Sequence, residues 1–360
     1  MVKYILRKLV YSIFILWGVL TLIFMLFNVL PGDPARMMLG QRADSASIAA
    51  IRQDLGLNRP LWLQYTKYIN DVSPISFHET INKKSYFYID TKVYAPCVTL
   101  SKIGSHRSVL LKFPYLRRSY QSKKNVSDII RETLPNTLIL AVAAIAFATV
   151  LGILLGILAA LYKDSWYDRV FLVVSTLGMS LPSFFAAILI GWFFAFVLGP
   201  VTGLNLTGNL VVLDDLGQSL HYEWKNLILP TFTLGIRPLS VFIQLTRNSM
   251  LEVLSQDYIR TARAKGLSET SVIFKHALKN ALNPVITAIS GWFASLMAGV
   301  VFVEYIFAWK GLGYIIVDAL NNYDLPLVLG CVLTISVIFV IINLLVDIIY
   351  SLLDPRVRLY

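Results

Sequence analysis

Three ionisable side chains stand inside apolar runs of membrane length, where burying a charge is expensive and usually marks a transport path. Arg237 lies mid-run beside Pro238, Glu304 near the outer end of another run, and Asp347 near the inner end of a third. The two acids also allow a second reading, because a carboxylate near an interface can reach water or cap a helix. An ion-coupled secondary transporter usually carries more buried acids than this. Catalytic patterns are missing. The 4 histidines, His78, His106, His221 and His276, are scattered through polar segments, with no HExxH, no paired catalytic carboxylates and no GxSxG setting. Nothing matches the phosphate-binding GxxxxGK[ST] either, so if ATP drives this protein another chain binds it. The chain is read as no enzyme, holding no metal and no cofactor of its own.

The segments that position these residues are mostly apolar. The 360 residues are 56% hydrophobic, with mean hydropathy +0.66, which is too apolar for a soluble domain and long enough for about six spans. Expected spans run from about 9 to 30, 135 to 162, 169 to 198, 226 to 250, 284 to 307 and 326 to 353. The third is interrupted by Leu181-Pro182-Ser183, a kink signal. Gly152 and Gly156 in the second span are spaced as GxxxG, and Gly291, Ser295 and Gly299 give the fifth a small-residue face. Cys97 and Cys331 fall in a polar segment and an apolar run, so no disulfide is expected.

Between the first two spans lies a polar segment of roughly a hundred residues, too long for a turn. Its first part is helical in pattern, broken at Arg59-Pro60, and SYFYIDTKVY alternates as a strand would. Lys163–Arg169, Arg247–Asn283 and the two termini carry 13 basic against 6 acidic residues, which places them, and both ends of the chain, in the cytoplasm. The long segment is then external, although it holds 16 basic and 8 acidic residues; the charge rule is weak for loops beyond about 60 residues. The net charge of +11 is explained by anionic lipid head groups; no nucleic-acid-binding signature accompanies it.

The one long polar run in the second half, Asp257 to Pro284, reads as a basic two-part hairpin. Arg260 and Arg263 sit one turn apart, Gly266 fits the left-handed residue after a helix, and Ser268 caps a second helix. Its apolar residues lie four apart (Phe274, Leu278, Leu282 and Ile273, Ala277, Ala281) beside Lys275 and Lys279, and Asn283-Pro284 is expected to end it. Such a face suits a lipid surface or a partner's groove, and periodicity does not separate them.

Segments spread over most of the chain resemble a known family. They are PGDP (31–34), LGLNRPLWLQY (55–65), SLPSFF (180–185), LILPTFTLG (227–235), LTRNSMLEVLSQDYIRTARAKGLS (245–268), HALKNALNP (276–284), VEYIFAWKGLG (303–313) and LLDPR (352–356). Together they are similar to inner-membrane permease subunits of ATP-driven, binding-protein-dependent importers, in the dipeptide/oligopeptide branch. The resemblance implies an all-α integral membrane protein with six transmembrane helices, the type I ABC importer permease (MetI-like) fold, and short strands in the external region. It implies three parts: residues 1–30 as N-terminus and first span, 31–133 external, and 134–360 as the core permease with a coupling loop at 247–283.

The hairpin resembles the family's EAA loop, whose short helices sit in clefts of cytoplasmic ATPase subunits. The implied coupling residues are Arg260, Thr261, Ala262, Arg263, Ala264, Lys265, Gly266, Leu267, Phe274, Lys275 and Leu278; Arg237 and Glu304 are the substrate-path candidates on their charge at membrane depth alone. Arg260, Thr261 and Ala262 stand where the family pattern has Glu-Ala-Ala, and Leu278-Lys279 where it closes with Leu-Pro, so the usual glutamate contact is missing. Implied partners are a second homologous permease, two ATPase subunits that carry ATP and magnesium, an extracytoplasmic substrate-binding protein and the lipid bilayer of the inner membrane. The implied cargo is di- or oligopeptides; nickel, glutathione and opine importers share much of the pattern. Residues 73–124 fall outside the resemblance, as a tolerated insertion or as a dock for the binding protein.

Overall fold

The computed structural model describes residues 2–29, 35–36, 44–54, 56–82, 85–89, 97–103, 107–214 and 219–353. It is mostly helical. Four helices are long and apolar enough to cross a membrane: α1 (Val2–Val29), α4 (Val126–Leu161), α7 (Lys225–Leu254) and α12 (Leu325–Leu353). Two bent pairs raise the number of candidate spans to six. One is α5 (Trp166–Ser180) with α6 (residues 183–197, α-helical over Ser183–Ile190 and π-helical over Gly191–Val197).

The break expected at Leu181-Pro182 is sharper than a kink. Leu181 (φ −75°, ψ 127°) and Pro182 (φ −59°, ψ 138°) are both extended, so one helix stops and another restarts at an angle of 114°. Proline removes the N–H that would continue the ladder and drives the residue before it out of the helical region. Pro135, by contrast, is absorbed inside α4, whose helix starts nine residues before the apolar run does.

The described chain forms two compact units. The first comprises Met1–Ile13, Thr133–Tyr314 and Ile335–Tyr360. Its core joins Leu140 and Ala144 of α4, Leu229 and Leu234 of α7, and Val300 and Val303 of α10 (Asn283–Ile306) to Phe307 and Trp309. The GxxxG pair is a helix–helix contact. A Cβ at Gly152 would lie 2.6 Å from Phe242 Cβ, and one at Gly156 would lie 2.8 Å from the Ile243 carbonyl oxygen, so glycine lets α4 and α7 touch backbone to backbone. Lys8 of α1 pairs with Asp347 of α12, which gives that acid a structural partner.

The second unit comprises Phe14–Glu132 and Ile315–Thr334. It holds α2 (Ser45–Asp54) and α3 (Leu61–Val72), separated at Arg59-Pro60 as expected. It also holds a three-stranded antiparallel sheet, β1 (Ile75–Glu79), β3 (Arg107–Lys112) and β2 (Cys97–Ile103) in that spatial order. The sheet corrects the strand expectation. Within SYFYIDTKVY, Ser85–Ile89 forms a turn with one isolated bridge, Glu79 to Tyr88, and residues 90–94 lie outside the described ones. The strands are flanking segments whose alternation is masked by polar residues on the buried face: Ser76, His78, Ser108 and Lys112.

A charge cluster from α3 meets part of that buried polar face. Asp71 of α3 receives Arg117 at 2.9 Å and Lys67 at 3.5 Å, Lys112 donates to the Asp71 carbonyl, and Asn70 Nδ2 donates to the Phe77 carbonyl at 2.9 Å. Burial, reinforced by Lys67 and Lys112, pushes the His78 imidazole down to about 4, and burial lowers the Lys112 ammonium to about 8. Asp324 anchors the same unit by accepting from Ser119 Oγ (2.5 Å) and the Tyr120 N–H (3.0 Å).

Candidate functional site

The hairpin after α7 is built as two short helices, α8 (Asp257–Ala264) and α9 (residues 269–281, π-helical over Val272–Ala277). Gly266 closes the first with φ +76°, a left-handed conformation that costs glycine no Cβ clash. The Ser268 side chain then accepts from the Ser271 N–H, opening the second. Two side-chain links hold the halves together. Arg263 forks onto Glu269 (Nε to Oε1 2.8 Å, Nη2 to Oε2 3.3 Å), and Asn280 Nδ2 donates to Tyr258 Oη at 2.9 Å. The expected stop at Asn283-Pro284 is only a one-residue interruption at Leu282, because Pro284 occupies the first turn of α10, where no N–H is needed.

The hairpin is amphipathic, and its inner face is anchored to the spans. Ile259 and Ala262 of α8 and Val272, Ile273, Ala277 and Ala281 of α9 pack with Ile157 and Ala160 of α4 and Met250 of α7. Ala262 is thus a core residue of this chain, small because α8 lies close to its own neighbours. Leu278 is half-buried at the edge of that core. The other face is open: Arg260, Thr261, Arg263, Ala264, Lys265, Gly266, Leu267 and Lys275 are exposed, and Phe274 is 54% exposed. Arg260 meets Asp257 at 3.5 Å with both side chains in solvent, an arrangement worth little. This face thus exposes two large apolar side chains, Leu267 and Phe274, together with several cations.

The two proposed path residues part company. Arg237 is exposed on α7, and Gln244 and the exposed Asn248 share its face at helical spacing. Glu304 is fully buried, and its carboxylate is turned toward α11 (Leu312–Asn321), accepting the N–H groups of Gly313 (2.7 Å) and Tyr314 (3.2 Å) on Oε2. Thr137 accepts the Leu312 N–H at 2.7 Å, the Trp309 indole donates to the Asn136 carbonyl at 3.0 Å, and Asn209 accepts the Lys310 N–H at 2.6 Å. Glu304 is therefore the cap of a short helix at the centre of a hydrogen-bonded clasp.

Sequence reasoning missed Thr137, Asn136 and Asn209; isolated polar residues at span ends carry no spacing signal. It also missed the fork of Arg247 onto Asp168, with Nε to Oδ1 at 2.5 Å and Nη2 to Oδ2 at 2.7 Å. Among the described residues no three His, Cys, Asp or Glu side chains converge as metal ligands would.

Apolar helices, two of them broken pairs, thus carry an amphipathic hairpin that is anchored to the ends of α4 and α7 and open outward. Residues 152–359 match the family described as binding-protein-dependent transport system inner membrane component, and residues 1–109 match the N-terminal part of such membrane components. The chain belongs to this family, as an ABC importer permease of the dipeptide/oligopeptide-type branch.

It is 33% identical over 371 residues to the dipeptide transport system permease protein DppB of Alkalihalophilus pseudofirmus, covering 99% of this chain and 100% of that one. It is 33% identical over 360 residues to the glutathione transport system permease protein GsiC of Escherichia coli K12, covering 99% of each. In fold it is similar to the MetNI methionine ABC transporter in an inward facing conformation, with a TM-score of 0.51 and 16% identity over 63% of this chain and 97% of that one.

Proposed function

We propose that this chain pairs with a second homologous permease to form the path for di- or oligopeptides handed over by an extracytoplasmic binding protein. Two separate ATPase subunits supply the energy by gripping the 247–283 loop on the cytoplasmic side, where both termini also lie. The observation that carries this reading is the open face of the hairpin, which exposes Leu267 and Phe274 together with the cations Arg260, Arg263, Lys265 and Lys275. Exposed apolar side chains among cations fit a protein groove, and the buried inner face anchors the hairpin firmly enough to transmit force. The sequence has no phosphate-binding loop of its own.

Two exposed features support a second permease. Gly291 and Ser295 of α10 are exposed, and among the described residues no neighbouring element lies within 4 Å of a Cβ built at Gly291 or Gly299. Such a stripe allows close approach of another helix. Arg237, charged and exposed in mid-span, needs water or a partner beside it rather than lipid. The path role thus falls to Arg237, with Gln244 and Asn248 along the same face.

Peptide cargo rests on the relatives' names. The glutathione permease is as similar as the dipeptide permease, so a γ-linked tripeptide stands beside ordinary dipeptides as cargo. The test of coupling is a cysteine at Phe274 in the co-expressed transporter. It is expected to crosslink to an ATPase subunit and not to lipid-soluble probes; labelling by lipid probes alone contradicts the reading.

A further inference from the structure

The Asp168–Arg247 fork has no role in the reading above, yet it joins the parts that the hairpin must move. Asp168 is 2% exposed, and its carboxylate takes the Arg247 Nε at 2.5 Å, the Arg247 Nη2 at 2.7 Å and the backbone N–H of Asp164 at 3.0 Å. Three segments therefore meet on one side chain: the turn between α4 and α5, the first turn of α5, and α7 two turns before its end. A bidentate fork fixes angle as well as distance.

The rest of the α5–α7 contact is of another kind. A Cβ at Gly178 would lie 2.4 Å from Ser240 Oγ, and Gln244 reaches Met179 Sδ at 3.7 Å; these contacts bring the helices close but hold no charged fork that fixes their register along the axis. The opposite face of α5, with Val173, Val174 and Leu177, is exposed. Sliding at Asp168–Arg247 would leave a buried carboxylate unpaired, which opposes it. Beyond this point α7 continues through Met250 into the core shared with Ile259, Val272 and Ile273 of the hairpin.

We propose that Asp168 and Arg247 are positioning residues that lock α5 to α7, so that displacement of the hairpin is carried into the span bent at Leu181-Pro182. The proposal rests on the hairpin being the element that the ATPase subunits move. Without the fork, α7 still follows the hairpin through its apolar core, but α5 slips against α7 and the bent span lags.

The test uses the assembled transporter in lipid nanodiscs, with spin labels at Val173 on α5 and Leu267 on the hairpin. In the native pair the distance between labels stays narrow and constant between nucleotide-free and ATP-bound states. In D168N it broadens or shifts on ATP binding, transport falls about tenfold, and more ATP is hydrolysed per peptide moved. If D168N does not assemble, R247K, which keeps the charge and loses the fork, is expected to show the same loosening. An assembled D168N or R247K complex with native distances and native coupling overturns the proposal. A Leu267 cysteine that never crosslinks to an ATPase subunit overturns the underlying reading instead. Crosslinking with an α5 that moves independently in the native pair overturns only this inference.

Discussion

Glu304 and Gly313 are joined by a 2.7 Å hydrogen bond from the Gly313 N–H to the Glu304 carboxylate, across a loop that brings the start of α11 back onto α10. The same oxygen accepts from Tyr314 at 3.2 Å. An acid that looks in sequence like a transport residue is thereby committed to the N-terminus of a helix, where orphan N–H groups and the helix dipole both favour it.

Glu304→Ala leaves two buried N–H groups without an acceptor, and each such loss costs about 1–3 kcal/mol. Glu304→Gln keeps an acceptor oxygen and is expected to cost less. Thermal unfolding of the purified protein should rank native above Gln above Ala. Equal melting of Ala and native removes the capping role.

Gly311 faces the same carboxylate, and a Cβ there would lie 2.2 Å from Glu304 Oε1 and 2.4 Å from Thr137 Oγ1. Gly311→Ala should therefore destabilise by about 1–3 kcal/mol through overpacking. Gly156→Ala should do likewise, because its Cβ would lie 2.8 Å from the Ile243 carbonyl oxygen. Gly291→Ala is the control, with no neighbouring element among the described residues within 4 Å, and should leave the melting point of the lone chain unchanged. A Gly156→Ala protein that melts with the control contradicts the close α4–α7 contact.

The second unit should weaken in acid. His78 is held near 4 in the folded protein, below the ordinary histidine value of 6.5, so the unfolded chain binds the extra proton between those limits. Stability then falls as pH drops from about 6.5 to about 4, by at most about 1.4 kcal/mol per pH unit. Lys112, lowered to about 8 from 10.5, has the same sign at the other end, and stability rises as pH climbs through that window. Melting curves of native and His78→Asn protein from pH 7 to 4.5 check the acid limb; the variant should lose less stability. Parallel curves contradict the buried neutral imidazole.

Phe274→Ala removes an exposed ring, so it should barely change stability. It should instead weaken association with the ATPase subunits by about 1–3 kcal/mol if the ring fills a groove as an anchor. Pull-down of the assembled complex measures this, and full assembly with unchanged transport contradicts the docking face.

The spans, the helices on either side of Arg59-Pro60 and the caps at Gly266 and Ser268 were legible because apolar length, proline and glycine act locally. The sheet was hidden because its buried face carries Ser76, His78, Ser108 and Lys112, the last held by the carbonyl of Asp71 forty-one residues earlier, and no two-residue alternation reports such a partner. The role of Glu304 was hidden for a similar reason: its partners are backbone N–H groups nine and ten residues on. Ala262 was visible as a small residue, but only the packing of α8 shows that it faces inward. The polar clasp at Thr137 and the fork at Asp168 and Arg247 join residues far apart in sequence.

On the function proposed above, this chain moves cargo only when other subunits act on its hairpin. The most direct measurement is uptake of labelled dipeptide or glutathione into liposomes containing this chain, its partner permease, the ATPase subunits and the binding protein. Uptake is expected with ATP, and is expected to disappear when the ATPase subunits are omitted or a cysteine at Phe274 is blocked by a bulky water-soluble thiol reagent before assembly. Uptake by this chain alone, driven by an ion gradient without ATP, would contradict it.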